Sequence, residues 1–402
     1  MPDLLYLDTA RLGRISPSAL RAHQDAAALA AAEGASALFD RFLTHGLAAC
    51  PREMRDRYPG LAAWAGVTEL KRALGSLVGH GPDLPVLIAN RSAQLMKLAA
   101  RLLFGPCRNV LTTDLGWPPY HAVLEDAARR AGRAVTTVAV REDALAGRID
   151  ETELVDVVGR AYARGRCDGL FLTAVGHLGV RLPVERIVRA AEAAGEVCFV
   201  AVDGAQDFCH TRGPVRTGCC DLYIAGCHKW LAAHHPMGLG FYGRPRSRTV
   251  IDTTLESAIA DGTIDDPLLA LSTQIERSDL GGAGETVNLV SLFTARAAAG
   301  DQIVPAAGTE EGRNSVAVTA AAERSGWRPL LPDRNLRSRI LLLKAERDAV
   351  RAADPQRLRN RLRDAGVAAT TYPGGLVRLA LPDRELEPTE VTQLTEALRL
   401  AA

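Results

Sequence analysis

The chain has 402 residues, 47% hydrophobic and 24% charged, which suffices for a large buried core, or one big unit and a smaller one, and excludes a disordered tail or a mini-scaffold. Lys and Arg total 48 against 47 Asp and Glu, so no net field draws the chain to nucleic acid or an anionic membrane, and a small-molecule partner is expected. No run of about eighteen apolar residues spans a bilayer, Asp3 and Asp8 stand where a secretory leader needs basic and then apolar residues, and the eight cysteines show no disulfide-framework spacing; the expectation is a soluble, cytoplasmic protein with reduced thiols.

From about Ser16 to Gly79 the pattern is helical, with Ala-rich runs, Leu and Phe at three- and four-residue spacing, and breaks near Pro51 and Gly60. The texture then changes. Short apolar segments with strand character recur at residues 85–90, 108–114, 134–140, 169–175, 197–203 and 221–226. Most are separated by helical stretches at 93–104, 120–131, 151–163 and 183–194. This alternation predicts an α/β fold, a mainly parallel sheet covered by helices on both faces, with ligands at the carboxyl ends of its strands. Residues 297–328 read as an Ala/Gly-rich loop leading into a small α+β unit, with a helix near 354–365, strands near 368–372 and 376–381, and a closing helix over 388–400. The expected division is an N-terminal arm at 1–25, a large domain at 26–296 and a small C-terminal domain at 297–402.

The chemistry concentrates in Val197–Gly243. A buried strand ends in Asp203, followed by Gly204, Ala205 and Gln206; a second ends at Gly226, Cys227, His228 and Lys229. A carboxylate and a lysine emerging at one end of neighbouring strands suit pyridoxal phosphate, the lysine joining the cofactor as a Schiff base and the aspartate facing the pyridine nitrogen. A protonated ring nitrogen makes the ring an electron sink. The lysine must be neutral for part of the cycle, which desolvation beside cationic groups promotes.

The ordered set VDGAQ, HKW about 25 residues later and GLGFYG beyond resembles the class V aminotransferase group of fold-type I pyridoxal phosphate enzymes, which includes cysteine desulfurases, isopenicillin N epimerase-like proteins and kynureninase relatives. The resemblance runs from YLDTA to the final helix. It implies a large domain built on a seven-stranded type of sheet, a small C-terminal domain and pyridoxal 5′-phosphate as cofactor. It further implies Lys229 as the Schiff-base lysine, Asp203 as the pyridinium partner, Gln206 as donor to the phenolic oxygen and His228 as a phosphate contact. Ser92 and Ala93 fall where the phosphate cup opens a helix, although relatives often carry a second hydroxyl at the position of Ala93. Trp117 falls where an aromatic ring stacks on the pyridine, and His177 lies beside the position, occupied here by Gly176, where relatives usually place a polar residue near the ring. Thr286 resembles the threonine that a neighbouring subunit lends to the phosphate, implying a homodimer with shared sites, and Arg378 resembles the arginine that holds an α-carboxylate as a bidentate pair.

Plainer readings compete. Asp203 could cap a turn, Lys229 could be a solvated strand-end lysine, Trp117 could be core or a gate, Arg378 could be a surface ion-pair partner and His210 could serve packing alone. The Cys and His residues from Cys198 to His235 invite zinc, but they form no paired CxxC or HxxxH units, and no metal is expected. The stretch from Arg363 to Gly375 lacks the thiol that a persulfide-forming desulfurase requires there, so that activity is not expected. The HKWL wording resembles the isopenicillin N epimerase-like branch, with its C–S lyases and specialised-metabolism enzymes such as the lincosamide (antibiotic) pathway pair. The expected reaction is therefore β-elimination or decarboxylation-coupled deamination of an S-substituted cysteine-type amino acid. Plain transamination or epimerisation is the alternative, and a non-catalytic ligand-binding homologue is the rival from another class. His234-His235-Pro236-Met237 departs from the common short Gly-Pro link and is expected to shape a pocket for an unusual side chain.

Overall fold

The computed structural model describes residues 4–34, 39–81, 84–211, 216–276, 287–302 and 311–402. In chain order the strands are β1 (Leu5–Tyr6), β2 (Val86–Ala89), β3 (Asn109–Thr113), β4 (Ala134–Val138), β5 (Gly169–Thr173), β6 (Phe199–Asp203), β7 (Leu222–Gly226), β8 (Gly238–Tyr242), β9 (Trp327–Leu330), β10 (Ile340–Ala345), β11 (Val367–Ala368), β12 (Thr370–Tyr372) and β13 (Leu376–Ala380). The helices that matter to the site are α1 (Pro17–Glu33), α2 (Ser92–Phe104), α3 (Pro118–Ala131), α4 (Glu151–Arg164), α5 (Val184–Ala194), α6 (Val290–Asp301), α7 (Glu311–Glu323), α8 (Pro355–Asp364) and α9 (Pro388–Ala401).

Among the described residues the main sheet has seven strands in the order β2-β8-β7-β6-β5-β3-β4. Pairing is parallel from β7 through β6, β5, β3 and β4, while β8 runs antiparallel between β2 and β7. Strands such as GLFLT, FVAVD and LYIAG are buried along their whole length, as expected of a sheet covered on both faces. Two hydrophobic clusters flank it. One contains Leu172, Val202 and Tyr223; the other contains Leu98, Phe171 and Ile224. The alternation of side chains along each strand sends neighbours to opposite faces, so both faces must be apolar.

The expected strands and intervening helices agree with these elements, and one reading needs correction, while one strand was not anticipated. The described residues of 297–328 are largely regular: α6 ends at Asp301, α7 covers Glu311–Glu323 and β9 begins at Trp327. Ala is the strongest helix former, so an Ala-rich stretch is helical when a face can be covered; α6 lies against α1, with Ser16 and Ser18 Oγ donating to the Asp301 carboxylate at 2.8 and 2.7 Å. The glycine-rich GLGFY is a central strand, β8. Glycine is unusual within a strand, but a Cβ on Gly238 would lie 2.5 Å from the Ser92 backbone nitrogen and 2.6 Å from the Arg91 carbonyl carbon. Its absence lets β8 pass directly behind the start of α2.

A second, antiparallel sheet follows the order β12-β13-β10-β9. Trp327 is fully buried there, and its Nε1 donates to the Leu398 carbonyl at 3.0 Å, tying the sheet to α9. The N-terminal residues join this part of the molecule: β1 pairs in parallel with β11. The next turn crosses back to the main sheet, where Gly13 N donates to the His228 carbonyl at 2.7 Å and Ser16 N to the Ala232 carbonyl at 2.9 Å.

Replacing Gly238 by Ala should destabilise the fold by about 1–3 kcal/mol through a backbone clash, whereas Gly218→Ala, whose Cβ would meet nothing within 4 Å, should stay within about 0.5 kcal/mol of the parent. Equilibrium denaturant melts of both variants check the contrast. Equal effects would remove the close-approach explanation.

Candidate active site

The carboxyl ends of β5, β6 and β7 and the N-termini of α2 and α3 face the second sheet across a cavity of about 510 Å³. That size suits a cofactor with a small substrate. Asp203 ends β6 and pairs in register with Thr173, the last residue of β5. Both line the cavity. Lys229 follows β7 in a turn, so the parallel register places its amine and the Asp203 carboxylate on the same cavity.

Burial dominates the electrostatics of this pair. Desolvation pushes the Asp203 carboxyl up from its ordinary value, opposed by the Ala205 N–H, which donates to Oδ1 at 3.0 Å, and by Lys229. The Lys229 amine is lowered to about 8, chiefly by burial and further by Arg378, with Asp203 acting in the opposite sense. Each group alone would be driven to its neutral form; together they hold a balance in which a proton can be taken or returned near neutral pH.

Gln206, one turn beyond Asp203, is held at both ends of its amide. Its Nε2 donates to the Ala10 carbonyl at 2.7 Å, and its Oε1 accepts from Trp230 Nε1 at 2.9 Å. One amide hydrogen remains for a ligand. His210 does not line the cavity. Its ring stacks on Trp230 at 3.7 Å between centroids and 4° between planes, which is a packing role.

At the other end, α2 begins after Arg91, which supplies no side-chain cap. The first-turn N–H groups of Ser92 and Ala93 therefore stand at the cavity wall with the positive end of the helix behind them. Ser92 Oγ accepts from Tyr120 Oη at 3.0 Å, leaving its own hydrogen to donate. His228 faces the same region; its Nδ1 is buried without a partner, and burial, with Lys229 and His234, lowers the ring to about 4. An uncapped helix start, a free hydroxyl and an orphaned imidazole nitrogen form a donor set suited to a phosphate. Trp117, 49% exposed at the mouth, meets Tyr120 edge to face at 5.4 Å and presents an aromatic surface to the cavity. These residues fit pyridoxal phosphate: a phosphate cup at one end, a buried acid for the ring nitrogen at the other and an amine between.

Arg378 reaches the cavity from β13. It is 4% exposed, donating from Nη1 to the His177 carbonyl at 3.1 Å and from Nη2 to Thr370 Oγ1 at 3.3 Å, while Nε has no partner. Asp8 stands 3.7 Å from Nη2 and also takes the Thr370 hydroxyl hydrogen bond. His177 lines the cavity with an unpartnered Nδ1, lowered to about 4 by burial and by Arg141 and Arg378. Thr286 lies outside the described residues.

Nine of the sequence-derived residues thus share one cavity. Sequence reasoning missed Asp8, Arg11, Arg91, Tyr120, Thr370 and Tyr372, all of which line the cavity or touch residues that do. YLDTA carried the only local signal for Asp8; its partner lies 370 residues away. Of the His234–Met237 segment, Pro236 and Met237 line the cavity, while His235 Nε2 lies 3.1 Å from Nδ1 of His23 on α1. Among the described residues no three His, Cys, Asp or Glu side chains are placed to hold a metal ion.

Comparison with known proteins places this geometry. The family profile described as "Aminotransferase class-V" matches residues 43–257. No curated protein sequence matches. Among solved structures, a cysteine desulfurase of Escherichia coli is similar over 99% of this chain and 94% of its own at 15% identity and a TM-score of 0.69. An alanine–glyoxylate aminotransferase of Nostoc sp. is similar over 100% and 96% at 17% identity and a TM-score of 0.67. A ureidoglycine–glyoxylate aminotransferase of Bacillus subtilis is similar over 100% and 93% at 15% identity and a TM-score of 0.65. These likenesses establish the fold, and the profile match, spanning more than half the chain, establishes the lineage: the chain belongs to the class V aminotransferase family, and its cofactor is pyridoxal 5′-phosphate.

Proposed function

We propose that the protein transforms an α-amino acid of the S-substituted cysteine type, by C–S β-elimination or decarboxylation-coupled deamination, with Lys229 and Asp203 as its catalytic residues. One observation carries the amino-acid reading: a lysine held near neutrality and a buried carboxylate share a cavity with a buried guanidinium. Bound there, the cofactor supplies a sink for the electron pair released when a bond to the substrate α-carbon breaks.

The chain's own residues supply the rest. Ser92, Ala93 and His228 are assigned to the phosphate, and Trp117 to the ring face. Gln206 has one amide hydrogen free for the ring oxygen, and Asp203 answers the ring nitrogen. Arg378, with Nε unpaired, is assigned to the α-carboxylate, whose capture orients the α-carbon toward Lys229 Nζ. Lys229, lowered to about 8, can hold or return a proton there.

The choice against persulfide chemistry is supported by the cavity wall, which contains no cysteine among the described residues. Cys227, next to the site in sequence, is fully buried and its thiol is raised by that burial, opposite to what a nucleophilic thiolate needs. Transamination or epimerisation would use the same groups, and product analysis separates them. A homodimer and a cytoplasmic location belong to the same proposal.

Competitive labelling of the apoprotein amine with acetic anhydride, read by mass spectrometry, should show Lys229 half-reactive near pH 8. Because Asp203 raises that value, Asp203→Asn should move the midpoint lower; an unchanged or higher midpoint would overturn the pairing.

Supplied with pyridoxal phosphate and reduced by borohydride, the protein should carry the label on Lys229, and Lys229→Ala should lose turnover by at least about 100-fold. Incubation with S-alkylated cysteines should release pyruvate and a thiol, or carbon dioxide. Accumulation of the aminated cofactor without substrate fragmentation would instead favour transamination.

Arg378→Ala should cut kcat/KM by about 100-fold, the cost of losing a buried charge pair, with most of the loss in KM. A loss confined to cofactor affinity would refute the carboxylate role.

A further inference from the structure

We infer that Arg11 selects amino acids whose side chain ends in an anionic group, so that the substrate carries two acidic functions, one held by Arg378 and the other by Arg11. The inference rests on the amino-acid reading of the cavity and names the substrate class within it.

The argument is a charge inventory. Among the described residues, the charged side chains lining the cavity are Arg11, Arg91, Lys229 and Arg378 on the positive side and Asp203 alone on the negative side. Lys229 and Asp203 answer each other. Arg91 stands at the start of α2 beside Ser92, at the end assigned to the phosphate. Arg378 is buried among Asp8, Thr370 and the His177 carbonyl. Arg11 is left over: it is exposed, and its side chain makes no hydrogen bond or ion pair among the described residues.

Its neighbours cannot neutralise it. Among the described residues, Tyr6, Tyr372, Arg14, Arg359 and Asp8 are the titratable groups around this turn. Asp8 is the only acid among them, and both of its oxygens are engaged: Oδ1 by Thr370 and Arg378, Oδ2 by Arg359 at 3.6 Å. Arg11, Tyr372 and Arg378 line the cavity together, and the Tyr372 hydroxyl, pushed up by burial, is pulled back by both guanidinium groups.

The backbone beneath Arg11 is held from several sides. Arg11 N and Leu12 N donate to the Asp8 carbonyl at 2.9 and 3.1 Å, Gln206 holds the Ala10 carbonyl, and Gly13 N reaches the His228 carbonyl. A Cβ on Gly13 would lie 1.9 Å from the Lys229 carbonyl oxygen, so the turn is pressed directly against the lysine segment. A fixed stem with a free guanidinium suits bidentate capture of a carboxylate or a similar planar anion.

The test uses acid and amide pairs of nearly equal shape: L-aspartate with L-asparagine, L-glutamate with L-glutamine, and S-carboxymethyl-L-cysteine with S-carbamoylmethyl-L-cysteine. For the cofactor-loaded protein, kcat/KM and the amino-acid-induced change in cofactor absorbance are measured in the parent, Arg11→Gln and Arg11→Lys. In at least one pair the parent should favour the acid by about tenfold or more, Arg11→Gln should bring the pair within about twofold, and Arg11→Lys should retain part of the preference. The cofactor spectrum without amino acid and the melting temperature should match the parent in both variants. A coloured protein indifferent to side-chain charge in every pair, or an Arg11→Gln variant that loses acid and amide equally, would overturn the inference while leaving the amino-acid reading standing. A protein that stays colourless with pyridoxal phosphate removes both.

Discussion

The site depends on the dehydration of one amine beside one carboxylate. Water would keep Lys229 protonated and Asp203 ionised across the neutral range; burial penalises both charges, and their proximity restores part of what burial removes. The balance requires that neither group drift toward solvent. Parallel strands meet that requirement, since β6 and β7 are hydrogen-bonded in register and end at the same edge of the sheet. The side chains at that edge inherit the stiffness of a core buried on both faces.

The N-terminal turn extends the same constraint to the rest of the cavity. Within six residues, Asp8 braces Arg378, Ala10 accepts from Gln206, and Gly13 docks on His228. One short segment thus sets the distance between a guanidinium on the second sheet and polar groups on the main sheet. Because β1 pairs with β11 and the following turn packs on the lysine segment, the two sheets are linked at the cavity itself. A displacement of this turn would alter three contacts at once, which makes it the most consequential stretch of chain outside Val197–Gly243.

Much of this was legible from local pattern. Buried parallel strands are short continuous apolar runs, so FVAVD and LYIAG announce themselves, and the polar residues that follow them must emerge at the strand ends. The failures have causes that lie outside the segments concerned. GLGFY lacks the β-branched texture of a strand because Gly238 answers a close approach by α2, a fact external to its own segment. Residues 297–328 looked like a loop because their Ala/Gly-rich composition shows no amphipathic period; α6, which ends in this stretch, gains its stability from the surface of α1. Beyond the YLDTA wording around Asp8, neither Asp8 nor Arg11 carried a recognisable signal, since the groups that give them meaning lie some 200 to 370 residues further along.

By itself, the sequence determined the alternation of strand and helix, the ordered motif around Asp203 and Lys229, and the resemblance to a pyridoxal phosphate family, because each is written in residues close together along the chain. Only the tertiary structure decided which charges are cancelled and which are left over. It buried Asp8 against Arg378, tied both ends of the Gln206 amide, stacked His210 on Trp230 and left Arg11 unanswered at the cavity's edge. Charge compensation is a property of distance in space, and nothing in a linear order of residues records it until the chain has folded.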